Sequence, residues 1–171
     1  MHLTHKLGRV TLPIVLAIGA VIAPSLALAA NHPTNRADNV VGTQGDDIIN
    51  SKGGRDIVHG RRGDDTLSGG ANGDFLFGGP GADILNGNAG HDKLFGGPGA
   101  DTINGGTDND RIKGDGGADV LNGGEGDDVI WARSDRAIDT IDCGPGDDVA
   151  YVDAADVLVI GTCETVVSKG P

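Results

Sequence analysis

The sequence predicts an all-β protein of short strands repeated at a fixed interval, and three observations carry that expectation. From Gly42 to Trp131 the chain divides without remainder into ten nine-residue units, each with aspartate at position six: Asp47, Asp56, Asp65, Asp74, Asp83, Asp92, Asp101, Asp110, Asp119 and Asp128. Position eight is always aliphatic: Ile49, Val58, Leu67, Leu76, Leu85, Leu94, Ile103, Ile112, Leu121 and Ile130. Position four is glycine in eight units and Asn72 or Asp108 in the other two, the non-glycine types that best tolerate positive φ. An apolar side chain every ninth residue makes no helical stripe of useful width, whereas one in-pointing residue per short strand accounts for it. A left-handed backbone is therefore expected at position four. Position one is glycine in nine units, with Ser51 the exception, so the turn there needs close backbone approach or an unusual dihedral.

The unit Gly78-Gly79-Pro80-Gly81-Ala82-Asp83-Ile84-Leu85-Asn86 shows the pattern most fully. It resembles the hemolysin-type calcium-binding repeat of the RTX family, GGxGxDxUx with U aliphatic. The resemblance covers about half the chain continuously and rests on residue types and spacing together. It implies a right-handed parallel β-roll, a two-sheet β-solenoid in which two units make one coil and Ca²⁺ lies between the turns of successive coils.

On such a roll, alternate units fall on opposite sides. Asp47, Asp65, Asp83, Asp101 and Asp119 then form one ladder, and Asp56, Asp74, Asp92, Asp110 and Asp128 the other. Neighbours in a ladder stand about 4.8 Å apart, where two unit charges repel by roughly 3 kcal/mol at an effective dielectric near 20. A cation must intervene. Ca²⁺ accepts oxygen ligands at about 2.4 Å and fits midway between two carboxylates, with turn carbonyls such as those of Gly60, Gly63, Gly78, Gly81, Gly96 and Gly99 completing its shell. Mg²⁺ binds at about 2.0 to 2.1 Å and gives up water reluctantly, so it matches less well. Pairing each unit with the next but one gives at most about eight sandwiched sites. The competing reading is a solvated, acidic low-complexity chain. A conditional form joins the two, disordered without metal and folded with it.

In chain order, residues 1–29 read as a secretory signal peptide, with Lys6 and Arg9 before an apolar run from Val10 to Leu28 and Ala27-Leu28-Ala29 at the cleavage position. A single membrane anchor is the alternative, which Pro13, Pro24 and the Ala-x-Ala ending disfavour. Cleavage makes the protein secreted, with no membrane span left. It also removes two positive charges, taking the formal charge from −12 to −14. Residues 30–41 are expected as a linker or N-terminal cap in which Val40 and Val41 cover the first coil. Residues 42–131 form the regular repeats, and residues 132–171 hold degenerate repeats and a C-terminal cap. In that last stretch the phase slips by two residues and resumes at Asp139 and Asp148, and Asp156–Ile160 reads as a closing strand. Cys143 and Cys163, the only cysteines, flank this segment, and export favours a disulfide between them over free thiols.

The acid balance argues against nucleic acid, which attracts basic patches. No HExxH zinc motif, GxSxG elbow or Walker A lysine is present, and Asp108-Asn109-Asp110 lacks the rest of an EF-hand loop, so no enzyme is expected. His59 and His91 read as surface residues rather than ligands. The one asymmetry lies at position nine, which points outward when position eight points in. Odd units carry Asn50, Ser68, Asn86, Asn104 and Asn122 there, and even units carry His59, Phe77, Phe95, Lys113 and Trp131. With Phe75 at position seven, the residues Phe75, Phe77, Phe95 and Trp131 mark a candidate face for a glycan, a protein or a second copy, unless the linker or the cap folds over them.

Overall fold

A computed structural model of the chain describes residues 33–132, 137–159 and 162–168. The expected signal peptide and Ile160 lie outside these residues. The described chain contains strands and no helix. In order they are β1 (Asn39–Val41), β2 (Ile48–Asn50), β3 (Ile57–His59), β4 (Thr66–Ala71), β5 (Phe75–Phe77), β6 (Ile84–Ala89), β7 (Lys93–Pro98) and β8 (Thr102–Thr107). They continue as β9 (Arg111–Gly116), β10 (Val120–Glu125), β11 (Val129–Trp131), β12 (Thr140–Asp142), β13 (Val149–Val152), β14 (Val157–Leu158) and β15 (Thr165–Ser168).

Odd-numbered strands form one parallel sheet in the order β1-β3-β5-β7-β9-β11-β13-β15, and even-numbered strands the other, β2-β4-β6-β8-β10-β12-β14. The chain thus alternates between sheets every nine residues and returns to the same sheet one coil later, as in Leu67↔Leu85 and Leu76↔Leu94. This is the parallel β-roll that the resemblance implied.

The period works because each strand offers one side chain to the interior. Every position-eight residue from Ile49 to Ile130 is at most 4 % exposed, and Val40, Ile141, Ala150 and Val152 extend the same core at the two ends. The residues either side of it face outward. The two-residue phase slip falls between β11 and β12 and leaves the registers intact: Leu121 still meets Ile141 and Ile130 meets Ala150.

Between strands the backbone turns through left-handed residues at two places. Position four has positive φ as expected in every unit but the first, where Gly45 does not, and it does so at Asn72 (76°) and Asp108 (74°) as well as at the glycines. Position two does so as well, including the non-glycines Lys52, Arg61, Asn88 and Asp115. Sequence reasoning passed over position two because its residue types are mixed. At position one the need is space alone. A Cβ on Gly60, Gly78 or Gly96 would sit closer than 3.0 Å to an aspartate oxygen and to the next coil's carbonyl.

Both ends carry strands beyond the regular repeats. The 30–41 segment supplies β1, which pairs with β3 and places Val40 in the core. At the other end β14 pairs with β12, and β15, which the sequence reading did not place, pairs with β13. The Cys143–Cys163 disulfide ties Cys143, buried just after β12, to the segment leading into β15.

Candidate calcium-binding turns

Each position-six aspartate ends a turn immediately before a strand, so its backbone and side chain both face the neighbouring coil. The backbone N–H of Asp47 donates to Oδ1 of Asp65 at 2.8 Å, Asp65 to Asp83 at 2.8 Å, Asp83 to Asp101 at 2.8 Å and Asp101 to Asp119 at 2.9 Å. The other ladder runs Asp56 to Asp74 at 2.7 Å, Asp74 to Asp92 at 2.6 Å, Asp92 to Asp110 at 2.8 Å and Asp110 to Asp128 at 2.7 Å. The two sequence-derived ladders are therefore continuous hydrogen-bonded rows.

They are longer than the repeats. Asp119 donates to Asp139, and Asp139 to Asp156 at 3.2 Å. Asp128 donates to Asp148, and Asp148 to Oε2 of Glu164 at 2.8 Å. At the N-terminus Asp38 donates to Asp56 at 2.8 Å. Asp38, Asp156 and Glu164 were missed, yet each precedes an aliphatic residue by two places, and Asp38 with Val40 stands nine residues before Asp47 with Ile49. The phase was present without the turn glycines.

With Oδ1 committed to the ladder, Oδ2 decides the chemistry. In Asp56, Asp65, Asp74, Asp83, Asp92, Asp101, Asp110, Asp128 and Asp148 this oxygen is buried and accepts no hydrogen bond. A buried carboxylate oxygen left without a donor costs on the order of several kcal/mol unless something positive meets it. In Asp65, Asp74, Asp83, Asp92, Asp101, Asp110 and Asp128 it points into the space above the position-one glycine of its own unit. Over Gly60, Gly78 and Gly96 it is joined by the carbonyl of Gly78, Gly96 and Gly114 from the next coil, and over Gly69, Gly87 and Gly105 by that of Gly87, Gly105 and Gly123. A Cβ would fill this cradle. Ser51 is the exception: its buried hydroxyl donates to the carbonyl of Gly69 at 2.6 Å.

The protonation behaviour reports the same stress. Burial, opposed in part by the ladder N–H and reinforced by neighbouring carboxylates, pushes Asp65, Asp74 and Asp128 up to about 6, Asp92 and Asp101 to about 7 and Asp110 to about 8. Asp83 and Asp148 are raised for the same leading reason.

The donor set is oxygen only. Among the described residues no three His, Cys, Asp or Glu side chains converge, so a cation here would take carboxylates together with backbone carbonyls. That mixture suits a hard cation with a flexible shell, as Ca²⁺ has. Position-four Gly63, Gly81 and Gly99 stack directly, Gly81 over the carbonyl of Gly63 and Gly99 over that of Gly81. The position-five aspartates make a second, outer row in the reverse direction. Asp64 donates its N–H to Asp46 at 2.9 Å and accepts from Ala82 at 2.8 Å. On the other side of the roll His91 takes the equivalent place, its Nδ1 accepting from the N–H of Asn109 at 3.0 Å, and His59 stacks on Phe77.

Repeated coils with oxygen-lined cradles define a calcium-binding β-solenoid. The family model for the RTX calcium-binding nonapeptide repeat (4 copies) matches residues 32–67, 68–103 and 95–130, and the chain belongs to that family. A search of curated proteins found no match.

Proposed function

We propose that this is a secreted calcium-binding protein, without a catalytic site of its own, whose roll forms fully only when Ca²⁺ enters the cradles between successive coils. The observation that carries this reading is the double row of buried, unbonded Oδ2 atoms. Asp65, Asp74, Asp83, Asp92, Asp101, Asp110 and Asp128 would hold the ions, with Asp56 and Asp119 in the same rows, and the carbonyls of Gly78 and Gly96 would contribute at the central coils. Gly60, Gly63, Gly81 and Gly99 would serve by leaving room and by shaping the turn. Fewer than the eight possible sites would fill, because Thr43 already satisfies Asp47 and the Ser51 hydroxyl already occupies one cradle. The ion supplies the positive charge that a chain of formal charge −12 lacks along its axis.

Residues 1–29 would direct export, placing the repeats where calcium is plentiful. Among the described residues no helix is long and apolar enough to cross a membrane. Far-UV circular dichroism during a calcium titration tests the reading. The expected result is a β-poor chain in chelator, a β-rich one in calcium and a poor response to equal magnesium. An identical spectrum and melting temperature with and without chelator would overturn it.

A second reading concerns the aromatic sheet. Phe75, Phe77, Phe95 and Trp131 point outward, half-buried; Phe77 stacks on Phe95, Trp131 on Tyr151, and the Lys93 ammonium lies over the Phe75 ring. This arrangement favours a role in meeting an extracellular glycan, a protein or a second copy.

A further inference from the structure

The position-nine column of the aromatic sheet consists of two ring stacks with one ring missing between them. His59 stacks on Phe77 with centroids 4.7 Å apart and Phe77 on Phe95 at 5.0 Å, while Trp131 stacks on Tyr151 at 5.7 Å, all within 10° of parallel. Between the stacks stands Lys113, in register with Phe95 on one side and Trp131 on the other. Phe95 and Trp131 are therefore two strand spacings apart, about 9.6 Å. That is close to twice the stacking distance seen along the column, so one flat ring fits between them. A groove of about 370 Å³ lies there, lined by Lys93, Phe95, Arg111, Lys113 and Trp131.

The charges at this notch run against those of the chain. Lys113 is turned to Asp115, 2.5 Å away. Lys93 lies 4.7 Å above the Phe75 ring, Arg111 is exposed, and among the described residues neither forms an ion pair. The groove on the far side of Lys93 and Arg111 is bordered by Asp92, Asp110 and Asp127. An anion is thus repelled there and drawn to the ring side.

We propose that this notch binds one acidic sugar residue of an extracellular glycan. The apolar face of the pyranose stacks between Phe95 and Trp131, and its carboxylate or sulfate meets Arg111, with Lys93 beside it. A guanidinium is suited to such an oxyanion because it presents paired donors in one plane. A single nucleic-acid strand needs cations that track its backbone, and the position-seven residues flanking Lys93 and Arg111 are Phe75 and Val129.

The proposal rests on the partner-face reading and on a formed roll, so circular dichroism accompanies every arm and separates loss of fold from loss of binding. The probe is a hexasaccharide alternating glucuronate and N-acetylglucosamine, added to the calcium-loaded protein and followed through Trp131, the chain's one tryptophan. Its carboxyl-reduced counterpart and a short single-stranded oligonucleotide are run beside it. The expected result is a saturable change in emission with the acidic sugar, and at least tenfold weaker binding of the reduced one. Arg111→Gln should weaken binding at least tenfold, and Lys113→Phe, which supplies the missing ring, should abolish it with the calcium-induced spectrum unchanged. No saturable change with the acidic sugar, equal affinity for the reduced sugar, tighter binding of the oligonucleotide, or undiminished binding by Lys113→Phe would each overturn the proposal.

Discussion

The first coil and the middle coils use the same aspartate at the same place and satisfy it differently. In the first coil Oδ2 of Asp38 accepts from the N–H and hydroxyl of Thr34 at 2.7 and 2.9 Å, and Oδ2 of Asp47 from those of Thr43 at 2.5 and 3.1 Å. In the middle coils Asp65, Asp83 and Asp101 have glycine or arginine at the threonine's place, and their Oδ2 atoms meet no donor. The protein completes its own carboxylates at the end where stacking begins. Further along the roll it leaves them to be completed from outside, which makes the interior of the roll conditional and its starting edge self-sufficient.

The largest difference should appear at position four. A Cβ at Gly81 would run into the carbonyl of Gly63 on a backbone of φ 149°, whereas at Gly45 it would meet nothing within 4 Å. Gly81→Ala should cost about 3 kcal/mol or more in the calcium-loaded state, and Gly45→Ala under about 0.5 kcal/mol. Thermal melts of the two variants in calcium check this. Next, Asp83→Ala and Asp101→Ala each remove a ladder acceptor for a buried N–H together with a candidate ligand. Loss of a charge-assisted hydrogen bond alone is worth about 2 kcal/mol, so the calcium midpoint of folding should rise at least tenfold. Asp38→Ala should move it about threefold or less. Equal midpoints for all three would erase the distinction between the coils.

Acidity offers a third comparison. Burial pushes Asp65 up to about 6, Asp92 and Asp101 to about 7 and Asp110 to about 8, above the ordinary value of 3.8. A folded carboxyl that holds its proton more tightly than the unfolded one favours folding below the unfolded value and loses that favour as pH rises through the folded one. Chelated protein should therefore show more β-structure by circular dichroism at pH 5 than at pH 8, and falling net negative charge acts in the same direction. Calcium, competing with those protons, should bind more weakly as pH falls from 8 to 6. A chelated protein more stable at pH 8 would contradict the assignment. A modest effect belongs to Thr43→Val, which keeps the backbone donor to Asp47 and loses only the hydroxyl. It should cost about 1 kcal/mol and leave the number of bound ions unchanged by calorimetry.

The ninefold phase made the two sheets, the core column and the aspartate rows legible, because each is set by one residue per strand. What stayed hidden was whatever lacked a fixed residue type. Asp38 belongs to the ladder, yet Pro33-Thr34-Asn35-Arg36-Ala37 before it holds no turn glycine. Lys52, Arg61, Asn88 and Asp115 take a left-handed conformation under pressure from stacked coils that no local propensity announces. Glu164 takes an aspartate's place with a longer side chain, after a cysteine and a shortened connection. Opposite assignments for odd and even position-nine residues were visible from parity alone. The missing ring at Lys113 became meaningful only once Phe95 and Trp131 were seen to flank it in register.

The most direct test is a crystal structure of the calcium-loaded protein with anomalous difference density measured for calcium. Peaks should lie between successive coils beside Oδ2 of Asp65, Asp83 and Asp101 and of Asp74, Asp92 and Asp110, with none beside Asp38 or Asp47. Peaks of equal height at Asp47, or calcium held away from the Oδ2 rows, would contradict the account.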